Sequence, residues 1–499
     1  MPRRPNGVFA MVLQPAKPML LRSTLIYAPA VLLTRISALL LLVIATRLVD
    51  QSEYGLLTLV VTVGEMTDVA MTNWLRVALL RLGGKTEISS GSLWLAGRVL
   101  IAATTVALIA SFVAALFLVP ERWVEFAIAV SGYLVASAVG RFALTVLQMQ
   151  QRHLAYSMLE FVRAVLQLVL PIVAFLIVRN SFLVISLASS SAALLAGLIG
   201  AVTALSRVVP GPARFTYREF FALGVPLILL ALVGFGLANT ERLFLKVYYD
   251  AGAVAVFAAA FALARQPIEM IANAINIGAF PEVVSRFDED GPDAAAGVLS
   301  NLLGLMLRLS LPAAALLTAL ASDITAVVLP PTYHGAVDRL FPIIAVAVIA
   351  GNVMSFVYGN VAHAHKRPWL LIFANGAGTI GTVTFSLLLI PQFAEVGAAL
   401  ALALGSLMAL ATCIVIAERL TPIPVPWRDL GISILIALGT GVAAALVSRA
   451  ANDMLPIVRL MAGGLAGGAT FLGMNTLFHP EETRALVGQV LLRFRPNAT

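Results

Sequence analysis

Charge is scarce in this chain. Only 12% of its 499 residues are Asp, Glu, Lys or Arg, where a soluble domain carries about a quarter, while 60% are hydrophobic and the mean hydropathy is +0.96. That balance excludes a water-soluble fold and implies a polytopic membrane protein. Cysteine is nearly absent. The single Cys413 lies in an apolar run, so neither a disulfide nor a cysteine metal site is available, and nothing marks a redox compartment.

Long polar connections are missing too. The largest, residues 281–297, holds Glu282, Arg286, Asp288, Glu289, Asp290 and Asp293 and reads as a solvated turn. With no loop of domain size and no Ser, His and Asp constellation on one, a membrane-embedded sugar polymerase or ligase is disfavoured and no enzyme is expected. Gly83-Gly84-Lys85-Thr86 ends like a phosphate loop, but Leu79 stands where the first glycine is required, so no ATP site is expected. Of five histidines only His363 and His365 are close, beside Lys366 and Arg367. That turn suits lipid headgroups better than a metal.

What is present is apolar sequence in spans. A crossing helix needs about 20 apolar residues, and fourteen segments qualify: 24–48, 54–80, 92–119, 123–148, 155–178, 181–206, 219–245, 252–280, 298–320, 338–362, 369–391, 394–417, 428–449 and 456–478. The start carries Arg3, Arg4, Lys17 and Arg22 before a run of full span length without a small-residue cleavage pattern, so a retained first helix is expected. Outside the spans, nineteen Lys and Arg flank one side and seven the other, which puts both termini in the cytoplasm. The same bias explains the net charge of +8 without nucleic acid.

The sequence repeats. Tyr27-Ala28-Pro29 in the first span matches Gly224-Val225-Pro226 in the seventh, Asp50 matches Asp250, and Gly55-Leu56-Leu57 matches Ala255-Val256-Phe257. An offset near 200 residues predicts an all-α fold of about fourteen transmembrane helices in two pseudo-symmetric six-helix lobes, 1–206 and 207–419, with two further spans and a tail in 420–499. Two lobes around a midplane site is a plan of alternating-access carriers.

Ionisable residues interrupt the spans: seven arginines (Arg35, Arg76, Arg141, Arg163, Arg242, Arg265, Arg308) and five acids (Glu65, Asp68, Glu160, Glu241, Glu269). Each costs a few kcal/mol at mid-bilayer unless it meets a partner or a wet cavity. Residues three or four apart share a helix face, and two polar stripes stand out. Span two carries Thr58, Thr62, Glu65, Asp68, Thr72 and Arg76; span eight carries Arg265, Glu269, Asn273 and Asn276. Weaker lines are Ser137, Arg141, Thr145 and Gln148 in span four, Glu160, Arg163 and Gln167 in span five, and Asn239, Glu241, Arg242 and Lys246 in span seven.

Two readings compete for these charges. Acids and arginines can pair across packed helices and only hold them together, which suits Arg76, Glu160 and Arg163 near span ends. Arg35, Glu65, Arg265, Glu269 and Arg308, near mid-depth, suit cavity lining. Arginine donates two parallel hydrogen bonds and stays charged, so Arg35, Arg265 and Arg308, with Arg242 and Arg141, are the candidate diphosphate ligands. Glu65, Asp68 and Glu269 are candidate H⁺ or Na⁺ sites, with Glu241, Asn273 and Asn276 as further polar lining. No other cofactor is implied.

Residues 239–261, running from Asn239-Thr240-Glu241-Arg242 through Tyr249-Asp250-Ala251-Gly252 to Phe261, resemble the seventh-to-eighth span junction of Wzx-type polysaccharide flippases. Ala255 and Phe257 depart from the Gly and Tyr usual there. The segments Arg47 to Gly55 and Leu389 to Ala401 agree with the same family, which belongs to the multidrug/oligosaccharidyl-lipid/polysaccharide superfamily. The resemblance implies a V-shaped two-lobe helical fold. It also implies transfer of an undecaprenyl-diphosphate-linked repeat unit across the bacterial inner membrane, for O-antigen, capsule or exopolysaccharide, with a polymerase and a chain-length regulator as partners. It carries over no agreed catalytic residue. Fourteen spans also fit a lipid II flippase, and a cation-coupled multidrug exporter is the remaining alternative.

Overall fold

The structure, a computed structural model, describes residues 37–82, 88–178 and 181–480. Arg35, most of the first expected span, the Tyr27-Ala28-Pro29 half of the repeat and Gly83 to Thr86 lie outside the described residues. Among the described residues the fold is all-helical, with one isolated bridge between Ser89 and Val209. Twelve helical stretches are long and apolar enough to cross a membrane.

The count is twelve rather than fourteen for two reasons. Only Ser37–Leu48 of the first expected span is described, and spans eleven and twelve form one run, Pro368–Glu418. That run is broken at Ala394, three residues after Pro391, where φ is 47° and ψ is −123°. Proline removes a backbone donor and clashes with the preceding turn, so the helical bonds are interrupted at this point and resume beyond it.

Packing groups the described residues into two compact units, one of residues 37–259 and 386–398, the other of 260–385 and 399–480. The first unit contains α1 (Ser37–Leu48), α2 (Gln51–Met71), α3 (Asn73–Leu82), α4 (Ser90–Leu118), α5 (Trp123–Met149), α6 (His153–Ile177), α7 (Phe182–Leu205), α8 (Tyr217–Tyr248) and the start of α9 (Ala251–Asp290). The rest of α9 belongs to the second unit. By packing, the division falls after Ala259. Trp74 of α3 lies 5.4 Å from both Phe220 and Phe221, an aromatic contact at the start of α8 within the first unit.

Polar caps set the helix starts. Ser89 accepts from the Ser92 amide, Ser181 from Leu183, and Thr216 and Glu219 form a reciprocal capping box at α8. Small residues also set close helix crossings. A Cβ on Gly197 of α7 would stand 2.9 Å from the Cα of Gly140 of α5, so these backbones touch directly. Membrane helices use such small residues because packing, not water exclusion, drives their association.

The second unit holds the remainder of α9, then α10 (Pro292–Ala319), α11 (Ala321–Val328), α12 (Ala336–Val353), α13 (Gly359–Ala364), most of α14 (Leu371–Glu418), α15 (Trp427–Ala450) and α16 (Pro456–Phe478). A π-helical turn, Met354–Tyr358, separates α12 from α13. Helices α15 and α16 are fastened to α11 by a buried acid. Asp323 accepts a hydrogen bond from Ser448 of α15 and forms an ion pair with Arg459 of α16, whose Nε lies 3.1 Å away. Asp323 is 2% exposed.

Candidate functional site

The first unit contains a largely apolar cavity of about 390 Å³ that carries polar and charged side chains in its wall. Glu65 of α2, Tyr133, Ser137 and Arg141 of α5, and Arg163 and Gln167 of α6 form its chemically active wall. Ser186, Ser189 and Ser190 of α7 face them, and α1 supplies Ser37, Ala38 and Leu41. The Gly140–Gly197 crossing explains the arrangement: with α5 and α7 in backbone contact, Ser137 and Arg141 are carried to the same opening as the α7 serines. Gly64 makes room in a similar way, since a Cβ there would meet the Tyr133 ring at 2.5 Å.

Both arginines on this wall are committed to acids. Arg141 Nη2 lies 2.7 Å from Asp68 Oδ2, and its Nε donates to Ser137 Oγ at 3.1 Å. Ser137 Oγ donates in turn to Asp68 Oδ2, while Thr72 donates to Oδ1. Asp68 is 0% exposed and its partner's side chain 38% exposed, so the acid braces Arg141 from behind and does not itself line the cavity. Arg163 Nη2 lies 2.6 Å from Glu160 one turn earlier. Among the described residues, two arginines thus stand with three acids around this cavity, counting Glu65.

Other expected residues fall elsewhere. Arg242 Nη1 donates to Thr62 Oγ1 of α2 at 3.3 Å, joining α8 to α2, and its neighbour Glu241 is 0% exposed. In the second unit, Arg265 Nε lies 2.7 Å from Glu269 Oε2, with its guanidinium 5.2 Å from the Phe261 ring centroid, and remains 40% exposed. Asn273 donates to the Glu269 carbonyl of its own helix. Asn276 accepts from Asn360 of α13 at 3.0 Å, so it ties α9 to the segment beyond the π turn. Arg308 is 5% exposed and is not part of the wall of this cavity.

Sequence periodicity thus found Glu65, Arg141 and the Arg265–Glu269 stripe. It gave Arg163 a purely structural part, whereas Arg163 both pairs with Glu160 and faces the cavity. It gave no role to Tyr133 or the α7 serines, although Ser186, Ser189 and Ser190 already share one helix face by spacing.

Multiple apolar helices with half-exposed ion pairs set inside them make a polytopic membrane fold, and that fold is similar to the one seen in transporters of the multidrug/oligosaccharidyl-lipid/polysaccharide (MOP) superfamily. It is similar to the lipid II flippase MurJ in an inward closed conformation, with 14% identity, 93% of this chain and 100% of that chain covered, and a TM-score of 0.69. An inward-facing multidrug resistance MATE family transporter of the MOP superfamily aligns at 12% identity over 83% of this chain and 97% of that one, TM-score 0.58. A MOP superfamily transporter from Pyrococcus furiosus, whose binding pocket has reversed polarity, aligns at 12% over 84% and 98%, TM-score 0.54.

Residues 44–338 match the polysaccharide biosynthesis protein family, and the chain belongs to that family. No curated protein matches its sequence. The resemblance carried by residues 239–261 agrees with this membership.

Proposed function

We propose that this protein is a flippase that moves a polyprenyl-diphosphate-linked oligosaccharide, of the undecaprenyl type, across the bacterial inner membrane by alternating access. The observation that carries the reading is a set of half-exposed Arg–acid pairs inside apolar helices, Arg141 with Asp68 and Arg265 with Glu269, in a member of a polysaccharide biosynthesis family. Charges at that depth are expensive, and burying them as pairs is a poor device for stability alone. A cargo with a charged, hydroxylated head and a hydrocarbon tail needs such a path for the head while the tail stays in lipid.

Each guanidinium keeps one edge on a carboxylate and presents the rest outward. A phosphate oxygen competes for the same donors, so head-group binding and carboxylate pairing are alternatives at Arg265. Protonation of Glu65 or Glu269 would shift that competition, which is the basis for H⁺ coupling. Both termini lie in the cytoplasm, the repeat-related lobes move against each other, and a polymerase with a chain-length regulator receives the product.

Deleting the gene should abolish the surface polysaccharide and build up its lipid-linked repeat unit, and Arg265→Ala, correctly inserted, should reproduce this. Normal polymer in the deletion strain rejects the reading. A second reading, lipid II transfer, is favoured by the likeness to MurJ over 93% of this chain. It predicts lysis on depletion and no change in surface polysaccharide. Raised drug susceptibility alone would mark an exporter.

A further inference from the structure

We infer that the 390 Å³ cavity of the first unit is a saccharide subsite and not a diphosphate subsite. The inference rests on the flippase reading and adds where the glycan is held. Its size falls within the ~300–1,000 Å³ of small-molecule sites, room for a short saccharide and not for a repeat unit with its carrier.

The first reason is charge. A diphosphate needs a local excess of cations, and the described wall offers none: Arg141 is paired with Asp68 and Arg163 with Glu160. Phosphate entry would have to displace carboxylates already within 2.7 Å of both guanidinium groups. Neutral hydroxyls face no such competition.

The second reason is the mixture of donors and acceptors. A sugar presents hydroxyls that each donate and accept, so a matching wall must do both at short intervals. Ser137, Gln167, Ser189 and Glu65 supply that mixture from four different helices. Asp68 fixes Arg141 and Ser137 in one hydrogen-bonded cluster, which leaves their remaining groups pre-oriented. The flat ring of Tyr133, seated against Gly64, offers an apolar face for the C–H side of a pyranose. A wall built to pair with hydroxyls discriminates strongly, because an analogue lacking one leaves a polar group unmatched.

The test compares two ligands on the purified full chain in nanodiscs: the lipid-linked oligosaccharide extracted from the source cells, and the bare polyprenyl diphosphate. Gln167→Ala and the milder Ser189→Ala, each verified by its melting curve, should weaken the first by about tenfold, the loss of one matched hydrogen bond. Both should leave the second unchanged. Equal weakening of both ligands would make the cavity a phosphate site, and unchanged binding of both would show that the glycan goes elsewhere. Failure of the wild-type chain to bind either lipid removes the flippase reading, and this subsite with it.

Discussion

Asp68 and Arg141 are joined across 2.7 Å with opposite access to solvent, the acid at 0% and the base at 38% exposure. The arrangement turns a costly buried carboxylate into a brace for a side chain that works at a cavity wall. Spacing within one helix predicts neither partner, because α2 and α5 meet only in the fold.

Replacing Asp68 by Asn should destabilise the protein by about 2 kcal/mol. Removing one partner of a fully buried pair costs ~3–5 kcal/mol, and the exposure of Arg141 reduces this. Chemical unfolding in detergent measures it, and Asp68→Asn with Arg141→Gln should cost less than the two single changes added together.

Gly197→Val should lose about 1–3 kcal/mol by forcing α7 away from Gly140. Gly234→Ala serves as the contrast, since a Cβ there meets nothing within 4 Å. It should be neutral or slightly stabilising, as alanine favours the helix over glycine. Melting temperatures of the two variants, compared side by side, decide the matter.

Asp323→Leu removes the shared partner of Ser448 and Arg459 and strands Arg459 against α11. Hydrogen exchange should rise across Trp427–Phe478 while Ser90–Leu205 stays protected. Uniform loosening of both regions would show that α15 and α16 do not depend on this acid.

Burial holds the His365 imidazole below its usual 6.5, and the nearby Arg367 guanidinium adds to the effect. Its ring Nε2 lies 2.9 Å from Thr421 Oγ1. The folded chain thus binds this proton less readily than the unfolded chain. The associated stability is present above about pH 6.5 and is lost as pH falls below it. His365→Gln should flatten the stability profile between about pH 7 and 5, which melting at stepped pH reads directly.

Much of the architecture was legible from residue order. Long apolar runs with Ser, Thr and Pro at their ends can only be crossing helices, and the stripes of α2 and α9 showed which faces carry polar groups. The exceptions are instructive. Pro391 marked a boundary, and the helix does break close by, but at Ala394, where one left-handed residue makes the bend. The partner of Asp323 was not legible, because sequence shows its neighbours along α11 and not Arg459, which arrives from α16. The α7 serines drew no reading from the sequence, because only the Gly140–Gly197 contact brings them to the same cavity as Arg141.

The sequence by itself determined that the chain lives in a membrane, that it is built from helices, and that ionisable residues sit where lipid would penalise them. Those are local properties, set by transfer free energy and by period along one helix. Tertiary structure alone decided which acid each arginine meets. A surplus of cations in the list of span residues became, in the first unit, a balanced polar wall, because pairing depends on which helices cross and at what depth.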